Sequence, residues 1–115
     1  MRQVSKQIKE AFENGSRKVC GNTTTDGKSV WLFGNKIITK DSKGNVYWTM
    51  CGWNSRTTRE RLKSILGLRL HTVKGCIKLI VEDAWACGFE DIDVETSAWY
   101  NLTGEILGSL YQPIL

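Results

Sequence analysis

The spacing of apolar residues along this chain switches between the helical period and the strand period. In QVSKQIKEAFE, residues 3–13, Val4, Ile8, Ala11 and Phe12 recur at helical spacing, and Asn14-Gly15 supplies a stop. From Arg17 the period drops to two. Arg17–Thr23 reads as a short strand, and Asp26-Gly27 turns the chain into its partner Ser29–Phe33. Gly34-Asn35 turns it again into KIITK, and Lys43-Gly44-Asn45 leads into VYWTMCGW. These hairpin signals in close succession predict an antiparallel meander of four strands.

The helical period returns at the middle of the chain. Thr57 and Glu60 have the spacing of a capping box, which starts a helix at Thr58; Leu62, Ile65 and Leu66 form its apolar stripe and Gly67 its C-cap. LRLHTV and CIKLIVE then flank Lys74-Gly75 as a further hairpin. The remainder, Asp83–Leu115, predicts a short strand around Ile92–Val94 and a helix within Ala98–Leu110. The fold class expected is α+β: N-terminal helix, antiparallel β-meander, middle helix, β-hairpin, and an acidic C-terminal segment with a further helix. There is no repeat, low-complexity run or linker, so residues 1–115 read as a single small domain.

Charge sharpens this picture. All sixteen Lys and Arg lie between Arg2 and Lys78, against five acids, which gives that stretch +11. From Leu79 onward there are seven acids and no base, giving −7. Two readings follow: the basic part, 1–78, meets a polyanion, or the acidic part, 79–115, folds back and neutralises it. No apolar run approaches the ~20 residues of a membrane span, so no membrane partner is expected. The N-terminus, MRQVSKQIKEAFENG, mixes charged and apolar residues unlike a secretory signal, which places the chain in the cytosol.

Cys20, Cys51, Cys76 and Cys87 each sit beside a glycine, none forms a CxxC pair, and His71 is the single histidine. That spacing predicts no metal site and no disulfide, but buried, reduced thiols. No cofactor motif occurs either: there is no P-loop, no G-x-S-x-G, no H-E-x-x-H and no glycine-rich dinucleotide loop. Glu90, Asp91, Asp93 and Glu95 alternate with Ile92 and Val94, as carboxylates of a two-metal nuclease would on a strand. The same alternation describes a solvated strand face, and an enzyme is not expected.

The candidate binding residues gather at GWNSRTTRERLK. Arg56, Arg59, Arg61 and Lys63 surround the start of the middle helix, off its apolar stripe, with the hydroxyl of Thr58 beside them. A helix N-terminus favours anions and Arg forks suit phosphate oxygens. Lys36 and Lys40 interleave with Trp31, Phe33, Tyr47, Trp48 and Trp53, an arrangement that holds single-stranded nucleic acid by stacking and phosphate pairing. At least half of these rings are needed for the core of so small a domain. Trp53, at the strand-to-helix corner, reads as a plug over that core or as a stacking platform.

LFGNKI, followed after a turn by GWNSRTTRERLK, resembles the pattern L-x-G-N-x-I … G-W-x-T-x-T-T-x-x-R-L-N. That pattern marks a family of small proteins encoded by tailed phages and prophages. The likeness covers Trp31–Leu66 and departs at Ser55, where Thr is usual, and at Lys63, where Asn is usual. It leaves the acidic C-terminal segment aside. It implies a phage accessory protein working in the host cytoplasm, and it implies no particular activity. Three partners follow from the residues and this provenance together. The first is nucleic acid, bound weakly and without sequence preference. The second is a host protein, such as an enzyme or anti-phage defence protein, inhibited by docking. The third is a second copy, joined as a homodimer through Ile106, Leu107, Leu110, Ile114 and Leu115 of the C-terminal segment.

Overall fold

The computed structural model describes residues 3–52, 55–83, 88–102 and 106–109, with the backbone alone at 82, 83, 88–90 and 106–109. Helix α1, Gln3–Asn14, opens the chain. A meander of five antiparallel strands follows: β1 Lys18–Cys20, β2 Thr23–Thr25, β3 Ser29–Leu32, β4 Asn35–Lys40 and β5 Val46–Trp48. The single strand expected over 17–23 is therefore two, because the chain doubles back at Gly21-Asn22. The β3–β4 turn also falls one residue earlier than expected. Leu32 pairs with Asn35, which makes Phe33-Gly34 the two central residues.

Asp26 and Asp41 organise two of the turns. The Asp26 carboxylate accepts from the backbone N–H of Lys28 and Ser29 at 2.9 and 2.8 Å, and that of Asp41 accepts from Lys43 and Asn45, each at 2.9 Å. Gly27 is required by crowding as well as conformation. A Cβ there would lie 2.3 Å from the backbone carbon of Gly15, so the end of α1 can rest on the β2–β3 turn only if the residue has no side chain.

After β5 the chain leaves the sheet. It forms helix α2, Arg56–Leu66, and then a three-stranded antiparallel sheet of β6 Arg69–Val73, β7 Cys76–Asp83 and β8 Gly88–Val94. It returns as β9, Ala98–Asn101, beside β5, and β10, Ile106–Ser109, completes a seven-stranded sheet. The helix expected within 98–110 is thus corrected to two strands. Ala98, Trp99 and Tyr100 are all buried, and a β5 edge awaits them, so strand pairing outweighs the weak helical spacing of the tail.

Register fixes the faces of the large sheet. Val30, Ile38, Trp48 and Tyr100 are successive cross-strand partners and share one face. With Ile8 and Phe12 of α1, Leu62 and Ile65 of α2, and Leu70 and Leu79 of the small sheet, they form one apolar core. Trp31 and Lys36 share the opposite face, where the lysine ammonium lies 5.6 Å from the indole centroid.

Charge of the acidic segment meets the chain's own basic part across the β7–β8 pair. Asp93 of β8 is the register partner of Lys78 on β7, and the two form an ion pair. Asp91 and Asp93 are exposed, while Ile92 and Val94 pack against the core, so these two acids line a solvated strand face. The expected burial of the thiols does not hold. Cys76 is exposed at the β6–β7 turn, Cys20 and Cys51 are half-buried, and Cys87 lies outside the described residues. Among the described residues no helix is long and apolar enough to cross a membrane. The side chains named for a homodimer seam also lie outside them.

Candidate functional site on the second helix

The mouth of α2 is built two residues earlier than its sequence suggests. Ser55, with extended backbone, is the N-cap, and its hydroxyl accepts from the Thr58 N–H at 3.0 Å. The Thr58 hydroxyl lies 2.8 Å from that of Ser55, so Thr58 is buried and committed to the cap. Thr57, expected as the cap, is half-buried on the helix itself. At the other end Gly67 adopts the left-handed conformation and donates to the Lys63 carbonyl at 2.9 Å, as expected of a C-cap.

Glu60 is drawn away from any capping role by its neighbours. Its carboxylate accepts from Ser5 of α1 at 2.8 Å and from Ser64 at 2.9 Å, and it pairs with Arg61. Burial pushes this carboxyl up, but the hydrogen bonds from Ser5, Ser64 and Arg61, together with the Arg61 charge, outweigh it. The balance sits below the usual glutamate value.

Arg61 overturns an expectation. It is only 3% exposed. Its guanidinium donates to the hydroxyls of Thr23 at 2.9 Å and Ser5 at 3.1 Å, and to the Asn22 side-chain oxygen at 3.2 Å. A side chain sealed into bonds with α1 and the β1–β2 turn has nothing to offer an outside ligand. Its role is to fasten α2 to the rest of the fold.

Lys40 is likewise withdrawn. Its ammonium donates to the Phe12 carbonyl at 3.0 Å and lies 4.2 Å from the Phe12 ring centroid, where a cation complements the negative end of α1. Lys36 lies over Trp31, on the sheet face opposite Val30 and Ile38. Trp53 lies outside the described residues.

Arg56 and Lys63 remain exposed on α2, with Arg59 half-buried between them in sequence. Exposed Lys6 lies on the neighbouring helix α1. Arg56, Arg59 and Lys63 recur at spacings of three and four, which puts them along one side of the helix. The structure thus brings together three of the candidate residues and removes Thr58, Arg61 and Lys40 to structural work. Flexible cations on a helix side can hold anionic oxygens by charge and hydrogen bonding.

Sequence reasoning missed the capping role of Ser55 and the turn position of Phe33. Ser55 was legible as an alternative cap three residues before Thr58. Phe33 carried no such signal, because only the register shows that it occupies a turn.

No curated protein and no solved structure matches the chain. Residues 1–105 match the family described as Kyanoviridae Gp96 protein, a span that takes in the acidic segment as far as Glu105. The phage provenance expected from the Gly-Trp and Thr-Thr pattern agrees with this match, and the chain belongs to the Kyanoviridae Gp96 protein family of phage proteins.

Proposed function

We propose that this protein is a non-enzymatic phage accessory protein that associates with nucleic acid in the host cytoplasm, weakly and without sequence preference, through the solvent side of α2. One observation carries the reading. The single acid of α2, Glu60, is turned toward Ser5, Ser64 and Arg61, while Arg56 and Lys63 are exposed and Arg59 is half-buried. The outward surface is therefore basic, although the helix sequence contains a carboxylate among its bases. Lys6 on α1 extends the same sign of charge. A surface of this kind engages phosphates through counterion release and reads no bases.

The test is a triple variant, Arg56→Gln, Arg59→Gln and Lys63→Gln, that leaves Arg61 in place. Retention of both single- and double-stranded oligonucleotides should fall for all sequences alike. The slope of log affinity against log salt should shrink by roughly 0.7 to 0.9 for each phosphate that the variant no longer neutralises. Absence of wild-type binding even at ~50 mM salt, where screening is weak, overturns the reading. So does a stoichiometric host protein that survives nuclease and is released by the triple variant.

A further inference from the structure

We propose that Phe33 and the apolar cleft beside it form a docking site for an acidic peptide segment carrying one bulky apolar side chain. Phe33 and Gly34 are the central pair of the β3–β4 hairpin, with φ of 51° and 80°. A two-residue turn with both φ positive prefers Asn, Asp or Gly at its first position. A bulky side chain there is a backbone outlier, held against its own preference. The fold gains little from the ring, which is 70% exposed. A costly position that displays an aromatic ring to solvent points to a use outside the fold.

Beside the ring lies a cleft of about 310 Å³, small for a ligand pocket and suited to one large side chain. Ile37 and Met50, each 1% exposed, line it together with Cys51, and Ser55 and Thr58 of the α2 N-terminus form its polar edge. No carboxylate is among the described residues that line it. Arg56 and Arg59 lie in the first turn of α2, immediately after those edge residues in sequence. The positive end of the helix dipole acts in the same direction. An apolar side chain seated in the cleft would pack on Phe33, and acidic flanks would meet the helix end. This is the anchor-and-rim arrangement of protein interfaces.

The site shares the α2 end with the nucleic-acid reading but is distinguished from it by Phe33 and the cleft, which are no part of the α2 surface. The informative variant is Phe33→Asn, which creates the preferred Asn-Gly turn. The probe is a ten-residue fluorescein-labelled peptide of Glu and Asp with one central Trp, compared with the same peptide carrying Ala. Wild-type protein should bind the Trp peptide at least about tenfold more tightly than the Ala peptide, the scale of a buried aromatic anchor. Phe33→Asn should erase that difference, melt no lower than wild type and retain oligonucleotides unchanged. In wild-type protein the Trp peptide should also shift the Met50 methyl resonance. Equal binding of both peptides, a lower melting temperature in the variant, a static Met50 methyl, or a matching loss of oligonucleotide retention each overturns the proposal.

Discussion

The Arg61 guanidinium and the Thr23 hydroxyl, 38 residues apart, are joined by a 2.9 Å hydrogen bond from Nε. Ser5, Asn22 and Glu60 complete the shell around the same side chain, so α1, α2 and the β1–β2 turn share one buried polar cluster. Removing one partner of a buried ion pair leaves the other charge uncompensated and its hydroxyl neighbours unmatched. Arg61→Gln should therefore cost about 3–5 kcal/mol in urea unfolding, within reach of the whole stability of a small domain. A cost below ~1 kcal/mol would mean that water already satisfies the cluster.

Acid should weaken the same cluster from its other side. The folded-state pKa of Glu60 is depressed, so the carboxylate contributes stability that is fully present above the ordinary glutamate value, about 4.3. That contribution is lost as pH falls through the lower folded value, because the unfolded chain takes up the proton first. Stability measured by urea unfolding should drop below about pH 4. Glu60→Gln should be less stable at neutral pH and show a shallower acid slope. Identical slopes in the two proteins would assign the acid sensitivity to other carboxylates, with Asp26 and Asp41, both also depressed, the first to examine.

The two hydroxyls at the mouth of α2 should separate cleanly. Ser55→Ala removes the acceptor of the Thr58 N–H and should cost about 1 kcal/mol. Thr57→Ala touches no cap and should stay within about 0.5 kcal/mol of wild type. Equal costs in thermal or urea unfolding would mean that the cap is shared.

The meander was legible because its information is local. Asp-Gly and Lys-Gly-Asn mark turns whichever element lies elsewhere, and the alternation between them needs no distant partner. The stop of α1 and the C-cap of α2 were legible for the same reason. What the local pattern concealed was every feature fixed by a remote neighbour. Arg61 sits at the flank of an apolar stripe by its helical position, and only Ser5, Asn22 and Thr23 make that flank an interior. T-x-x-E at 57–60 is a sound capping pattern, yet Ser5 on another helix claims the glutamate. Ala98–Asn101 becomes a strand because β5 offers an edge. Of the candidate residues, the exposure of Arg56 and Lys63 on α2 needed no remote contact to be anticipated. The roles of Lys40 and Thr58 did.

The pairing of β5 with β9 has a kinetic consequence. Trp48 and Tyr100 stack there at 5.0 Å, and the Trp48 indole donates to the Asn101 carbonyl across 53 residues of chain. Strands β1 to β4 each meet the next strand in sequence, so their loops close at small entropic cost, whereas this seam must wait for α2 and the small sheet. During synthesis one edge of β5 stays unpaired until Tyr100 has left the ribosome. In that interval Val46–Trp48 presents open backbone donors and acceptors, and the time spent there sets how readily a nascent chain joins a neighbour instead of itself.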